Sequence, residues 1–296
     1  MTKPKLSGRM LLPCLFAAVL LAQSVPPPGE ASRSTIEVKP GQPAIKTSEL
    51  DRRPIAPWKR LPGYLLKDQK AIWTSPFHTA KSDIKWWVIF GTTGAALIAT
   101  DHWTSRQLPN TSGQISVATW TSRIGAAYTL GGLDAGFYFL GALTKNDHLR
   151  ETGFIGAEAL ANALIVDTLV KGVTQRERPT EGNGAGRFWS GSGRIWNAGS
   201  SFPSGHAIES WTFASVIAHE YPHPRIIPIA AYGLAATVCG ARFAARKHFA
   251  SDVVIGAALG WFIGDFVYGR RHNPAVEPKS KVAKVLSHIH IGGPLN

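Results

Sequence analysis

Cysteine is almost absent. Only Cys14 and Cys239 carry a thiol. Cys14 lies inside an N-terminal apolar run, so a processed chain would keep Cys239 alone and could close no internal disulfide. Long uninterrupted apolar runs are scarce too. The cleanest, Ile226 to Ala241, falls short of the ~20 residues a bilayer-spanning helix needs. The other apolar stretches are interrupted by Asp101, Asp134, Glu158, Asp167, Glu209 and Asp265. Charges in mid-span are costly in lipid, which favours a water-soluble bundle resting on a membrane over an integral one. Nothing repeats internally and strand patterns are weak. No basic stripe interleaved with exposed aromatics marks a nucleic-acid module.

What is present is positive charge. The formal net charge is +13, and such an excess attracts anions. Much of it sits in the flanks, at Arg52, Arg53, Lys59 and Arg60 and again at Arg270, Arg271, Lys279 and Lys281. Basic flanks around an apolar middle suit an anionic membrane surface, with solvated tails as the plain alternative. The chain opens with Lys3, Lys5 and Arg9, an apolar run from Met10 to Ala22, and then Pro26-Pro27-Pro28. That is the layout of a secretory signal peptide, so the expectation is export, to the bacterial periplasm or the periplasmic face of a membrane. The expected organisation is a signal over 1–24, a Pro- and Ser-rich linker over 25–60, a helical domain over 61–272 and a basic tail over 273–296.

Helical periodicity dominates the middle. Leu61 to Phe77 reads as an amphipathic helix, followed by candidates at Ile84–Thr100, Thr121–Leu143, Glu151–Gln175, Pro203–Glu220, Arg225–Ala245 and His248–Tyr268. The expected fold is all-α, a bundle of about six long helices. One connection is long. Residues 180 to 202, rich in glycine and carrying Phe188, Trp189 and Trp196, read as a substrate lid.

Chemistry gathers on both sides of that loop. Ser201-Phe202-Pro203-Ser204-Gly205-His206 opens an apolar helix, whose first turn leaves N–H groups and a positive dipole end for a phosphate oxygen. Ser204 offers a hydroxyl, Gly205 a close approach to the backbone, and His206 a proton near neutral pH. The bland reading is a serine cap and an ordinary histidine. Upstream, Lys171 and Arg178 are seven residues apart on one helical face that Pro179 ends. Together they provide a point charge and a forked donor for phosphate, or they simply complement the helix C-terminus. Downstream come Arg242, His248 and Asp252. At a spacing of four, Asp252 can hold the His248 imidazole in one tautomer, which makes a nucleophile or base; otherwise Asp252 is a helix cap.

The order Lys171, Arg178-Pro179, Pro203-Ser204-Gly205-His206, Arg242, His248, Asp252 resembles the three-part signature of the type 2 phosphatidic acid phosphatase and vanadium haloperoxidase superfamily. The resemblance covers about residues 85 to 270. It implies a helical bundle whose three segments converge on one phosphate or vanadate. It further implies that His248 attacks phosphorus to form a phosphohistidine, that Asp252 orients it, and that His206 protonates the leaving oxygen. Lys171, Arg178, Arg242, Ser204 and the Gly205 N–H would then hold the phosphoryl oxygens. No metal or other cofactor is implied for the phosphatase, whose substrate would be a phosphorylated lipid, an isoprenyl diphosphate or a small soluble ester. Vanadate enters only if the chain is instead a haloperoxidase. Ala241 stands where the family usually has serine, which removes a supporting hydrogen bond.

Two other readings are set aside. A non-catalytic anion-binding envelope protein would need the whole constellation to be vestigial. His219-Glu220-Tyr221-Pro222-His223 has the spacing of a zinc-protease helix, but Pro222 and Pro224 break that helix. His288 and His290 read as part of an extended tail.

Overall fold

A computed structural model describes residues 54–78, 81–190 and 200–276. The expected signal peptide, most of the linker, nearly all of the tail, Trp196 and the pair His288/His290 lie outside these residues. Among the described residues are eight α-helices and no strand: α1 Leu61–Thr74, α2 Ile84–Arg106, α3 Ser112–Ser122, α4 Ala127–Thr144, α5 Asp147–Thr174, α6 Gly205–Glu220, α7 Ile226–Ala244 and α8 Ala250–Arg271. The all-α expectation holds. Several boundaries differ. The candidate Thr121–Leu143 is in fact the last turn of α3 followed by α4, separated by a 3-10 turn at Arg123–Gly125. Pro203 precedes α6 rather than opening it.

α5 is the central post. Asn146 caps it by accepting the Leu149 N–H at 3.2 Å, and Phe154, Ile155, Ala159 and Ala163 are almost wholly buried. These side chains meet Ile208 and Val216 of α6 and Ile263 and Val267 of α8 in one core cluster. α6 and α8 run parallel because α8 carries small residues one turn apart. A Cβ on Gly256, Gly260 or Gly264 would strike the backbone of Ser204, Ile208 and Thr212 respectively. That close approach lets Thr212 Oγ1 donate to the Gly260 carbonyl at 3.0 Å. It also sets the N-termini of two helices side by side, where unpaired N–H groups and both positive dipole ends coincide.

α1 docks partly, as its amphipathic pattern predicts. Ile72 joins the core and Gln69 donates to Asn162 Oδ1 at 2.8 Å, while Leu66 stays 75% exposed.

The charges that interrupt the apolar helices in sequence all turn inward. Asp101, Asp134, Glu158, Asp167 and Glu209 are all buried, and Asp265 pairs with His219 at 3.2 Å. The outside is apolar instead, with Trp87 and Ile89 on α2, Phe139 and Leu143 on α4, and Ile229 and Leu234 on α7 all exposed. Asp147–Thr174, Ile226–Ala244 and Ala250–Arg271 are long and apolar enough to cross a membrane. The expectation of a water-soluble bundle rested on those interrupting charges, and their burial removes that argument.

Candidate active site

Four helix ends meet at one end of the bundle: the C-termini of α5 and α7 and the N-termini of α6 and α8. The motif residues sit there. Ser204 occupies the N-cap position of α6, yet its hydroxyl makes no cap hydrogen bond and has no partner among the described residues although it is fully buried. The plain capping role therefore falls away, and the hydroxyl is available to a ligand. Gly205 follows at the first helical position. A Cβ there would come within 3.0 Å of both Asp167 Oδ2 and Lys171 Nζ, so the absence of a side chain lets Lys171 lie over the helix start. Lys171 Nζ is itself paired with Asp167 Oδ2 at 2.7 Å.

His248 lies in the turn before α8, not on it. Its Nδ1–H donates to the Ser201 carbonyl at 2.7 Å, which fixes the tautomer and leaves the Nε2 lone pair pointing at the site. Nε2 is 3.5 Å from Arg242 Nη2. Asp252 makes no direct hydrogen bond to the imidazole, because Oδ2 stands 3.8 Å from Nδ1, an ion-pair separation only. Being off the helix, His248 approaches Asp252 without the one-turn stacking that the sequence spacing suggested. Asp252 Oδ2 instead accepts the Ser201 hydroxyl at 2.5 Å and the Phe249 N–H at 2.7 Å. It positions the serine whose carbonyl orients the imidazole, and it also closes the first turn of α8 as the capping alternative foresaw.

Electrostatics bring the remaining motif residues together. Burial first, and then the charges of Arg242, Arg178 and Lys171, hold the His248 imidazole well below the usual histidine range, against the opposing Ser201 bond. Burial, followed by Arg242, His248, Lys171 and Arg178, pushes His206 down to about 3. Both imidazoles are thus neutral within the ring of cations. Arg242 Nη1 donates to Ser122 Oγ at 3.2 Å, so a serine of α3 gives it the hydroxyl that Ala241 lacks. Arg178 Nη1 reaches the Lys247 carbonyl at 3.5 Å.

The largest feature missed in the sequence is Arg176. It is 2% exposed and lies beneath the site. Nη1 donates to Ser251 Oγ at 2.7 Å and Asp252 Oδ1 at 2.6 Å, Nη2 to Asp101 Oδ2 at 2.8 Å, and Nε to the Gly186 carbonyl at 3.1 Å. The rings of Phe188 and Phe249 flank its guanidinium at 4.6 and 4.4 Å. Ser251 in turn bonds Asp101 through its hydroxyl and through its N–H. These bonds change the reading of the long loop. Residues 176–190 fold back on the end of α5, held by Arg176, by the Trp189 N–H to the Thr174 carbonyl at 2.9 Å, and by the Arg187–Glu177 pair at 2.8 Å. That half is a floor rather than a lid.

Residues 153–274 match the PAP2 superfamily. The matched stretch is a PAP2 region. It contains every motif residue from Lys171 to Asp252. Among solved structures, the chain is similar to the first transmembrane PAP2 type phosphatidylglycerolphosphate phosphatase from Bacillus subtilis, at 20% identity and a TM-score of 0.43, over 71% of this chain and 93% of that one. No curated protein matches significantly. Asp101 and Ser122 lie before the PAP2 region and yet hold Arg176 and Arg242 within it.

Proposed function

We propose that the chain is a phosphatase that transfers a phosphoryl group from a monoester to His248 Nε2 and then to water. The observation that carries this reading is the tautomer of His248. Its Nδ1–H is committed to Ser201, so a lone pair on Nε2 faces a pocket ringed by Lys171, Arg178 and Arg242. Nε2 forms the bond to phosphorus as the ester oxygen leaves with the proton that His206 takes up when the phosphate dianion binds; water then cleaves the phosphorus–nitrogen bond and returns its proton to His206. Positive charge around the equatorial oxygens does most of the work in phosphoryl transfer. Here Lys171, Arg178 and Arg242 supply it, with Ser204 Oγ and the Gly205 N–H as further donors.

A lipid phosphate or isoprenyl diphosphate fits better than a small soluble ester. A cavity of about 640 Å³ is lined in part by Val170 and Ile255, which in sequence stand one residue from Lys171 and three from Asp252. It continues between Trp87 and Phe90 of α2 and Leu259 and Phe262 of α8. Its walls are apolar, so an alkyl or prenyl chain would lie there while the phosphate meets the cations. The exposed apolar helices support an integral place in the cell envelope. Lys145, Arg225 and Arg270, exposed at the end opposite the cradle, favour a cytoplasmic position for that end and a periplasmic one for the cradle.

The test is phosphate release by the full chain in detergent without added metal, from one lipid phosphate and one soluble ester. Radiolabelled substrate should leave an acid-labile, alkali-stable label on the wild type and none on His248→Ala. Full activity in His248→Ala would sink the mechanism, and release from the soluble ester alone would remove the lipid reading.

A further inference from the structure

At the end of the bundle remote from the cradle, a second buried cluster remains that the phosphatase reading leaves unused. Glu151 is in the first turns of α5, Glu220 is the last residue of α6, and His272 directly follows α8. One ligand-type atom from each lies within 4.8 Å of the other two. His272 Nδ1 is 3.0 Å from Glu151 Oε1 and 3.6 Å from Glu220 Oε1. The glutamate side chains are 2% and 0% exposed.

Two carboxylates buried side by side are costly unless a cation lies between them. Glu220 meets only imidazoles among the described residues, His272 on one side and His148 Nε2 at 2.8 Å on the other. Glu151 accepts the Asn273 N–H on Oε1 at 2.7 Å, while its Oε2 is buried with no hydrogen-bond partner among the described residues.

We infer that Glu151, Glu220 and His272 form a divalent metal site, suited to Zn²⁺. One nitrogen and two carboxylate oxygens are borderline donors of the kind zinc takes. The separations of His272 Nδ1 from the two glutamate oxygens, 3.0 and 3.6 Å, bracket the ~3.3 Å edge of a tetrahedron with bonds of about 2.0–2.1 Å, and the two glutamates offer oxygens within 4.8 Å of one another. An ion of charge +2 balances the two carboxylates. The surroundings are those of a supported site. His148 holds the second oxygen of Glu220, and the Asn273 N–H holds Glu151. The Tyr268 ring stacks on the His272 imidazole at 4.7 Å and 18°, and outer contacts of this kind orient metal ligands. Entry is from the His272 side, which is 11% exposed, and water would complete the coordination. The ion would tie the ends of α5, α6 and α8 together.

The test uses the full chain, purified without a histidine tag, stripped with chelator, equilibrated with zinc and desalted. The expected content is one zinc per chain, with a raised unfolding temperature. Cobalt in its place should give the visible absorption of a tetrahedral ion. Glu220→Gln and His272→Gln should each weaken zinc binding by at least about 100-fold, while a double variant of the tail, His288→Ala with His290→Ala, should keep it. His272 is at the periphery, so its variant serves where Glu220→Gln does not fold. Wild type that holds no more zinc than His272→Gln overturns the site. Zinc that is lost only with the tail histidines overturns it too.

Discussion

Asp252 stops 3.8 Å short of His248, and Ser201 fills the interval. The serine takes the carboxylate on its hydroxyl and gives its carbonyl to the imidazole. The two ends of this relay differ in what they protect. Ser201→Ala keeps the carbonyl that fixes the tautomer and loses only the hydroxyl. It should lower kcat about 10-fold with KM unchanged, as a positioning change does. A loss as large as that of His248→Ala would mean the hydroxyl itself takes part in the reaction.

Asp252→Asn should act mainly on stability. It leaves Arg176 with half of its buried countercharge, and breaking a buried pair costs about 3–5 kcal/mol. Arg176→Lys should behave alike, because an ammonium cannot reach Asp101, Asp252 and Gly186 from one plane. Thermal unfolding of both variants checks this. Unfolding temperatures equal to the wild type would show that the network is not structural.

Gly205→Ala separates binding from folding. Its Cβ would press on Lys171 Nζ and Asp167 Oδ2, each 3.0 Å away, and a lysine tip yields more easily than backbone. The expected result is a several-fold rise in KM for phosphate esters, with an unfolding temperature close to wild type. An unchanged KM would take Lys171 out of the phosphate site.

Both cradle imidazoles titrate below their ordinary pKa of ~6.5, so the folded chain resists protons that the unfolded chain accepts. Stability from this source is complete above pH ~6.5 and is lost as pH falls toward the folded value, about 3 for His206. His206→Gln should flatten the acid side of the stability profile. A phosphate dianion in the cradle offsets the cations that depress His206, so binding near pH 6 should take up a proton. Calorimetry in two buffers of different ionisation enthalpy measures that uptake. Binding without uptake would leave His206 neutral in the complex and unable to protonate the leaving oxygen.

The exposed apolar faces of α2, α4 and α7 predict that the chain stays in the membrane fraction through alkaline carbonate washing. Release by that wash would make it a peripheral protein instead.

The cradle was legible in the sequence because its parts are short-range. Lys171 and Arg178 flank one helix end, Gly205 and His206 open another, and each spacing has a local meaning. What supports the cradle was not legible, since Arg176 looks like one more basic residue in a loop and Asp101 like an interruption of an apolar helix. Their partnership spans 75 positions, and no local pattern encodes it. Asp101 shows the same gap in the membrane question. Periodicity registers a charge in an apolar run but not which way it faces. The Asp252–His248 pair went astray for a smaller reason: α8 begins at Ala250, so a spacing of four did not mean one helical turn.

The Asp101–Ser251 bond joins residues 150 positions apart, and its consequence is temporal. While the chain is being made, Arg176 emerges with Asp101 already present but Asp252 still to come. The floor of the cradle therefore stays incomplete until the last helix arrives. Truncated or stalled chains would carry most of the basic ring, yet lack the turn that holds the nucleophile. Hydrolytic competence would then report that synthesis has run through α8.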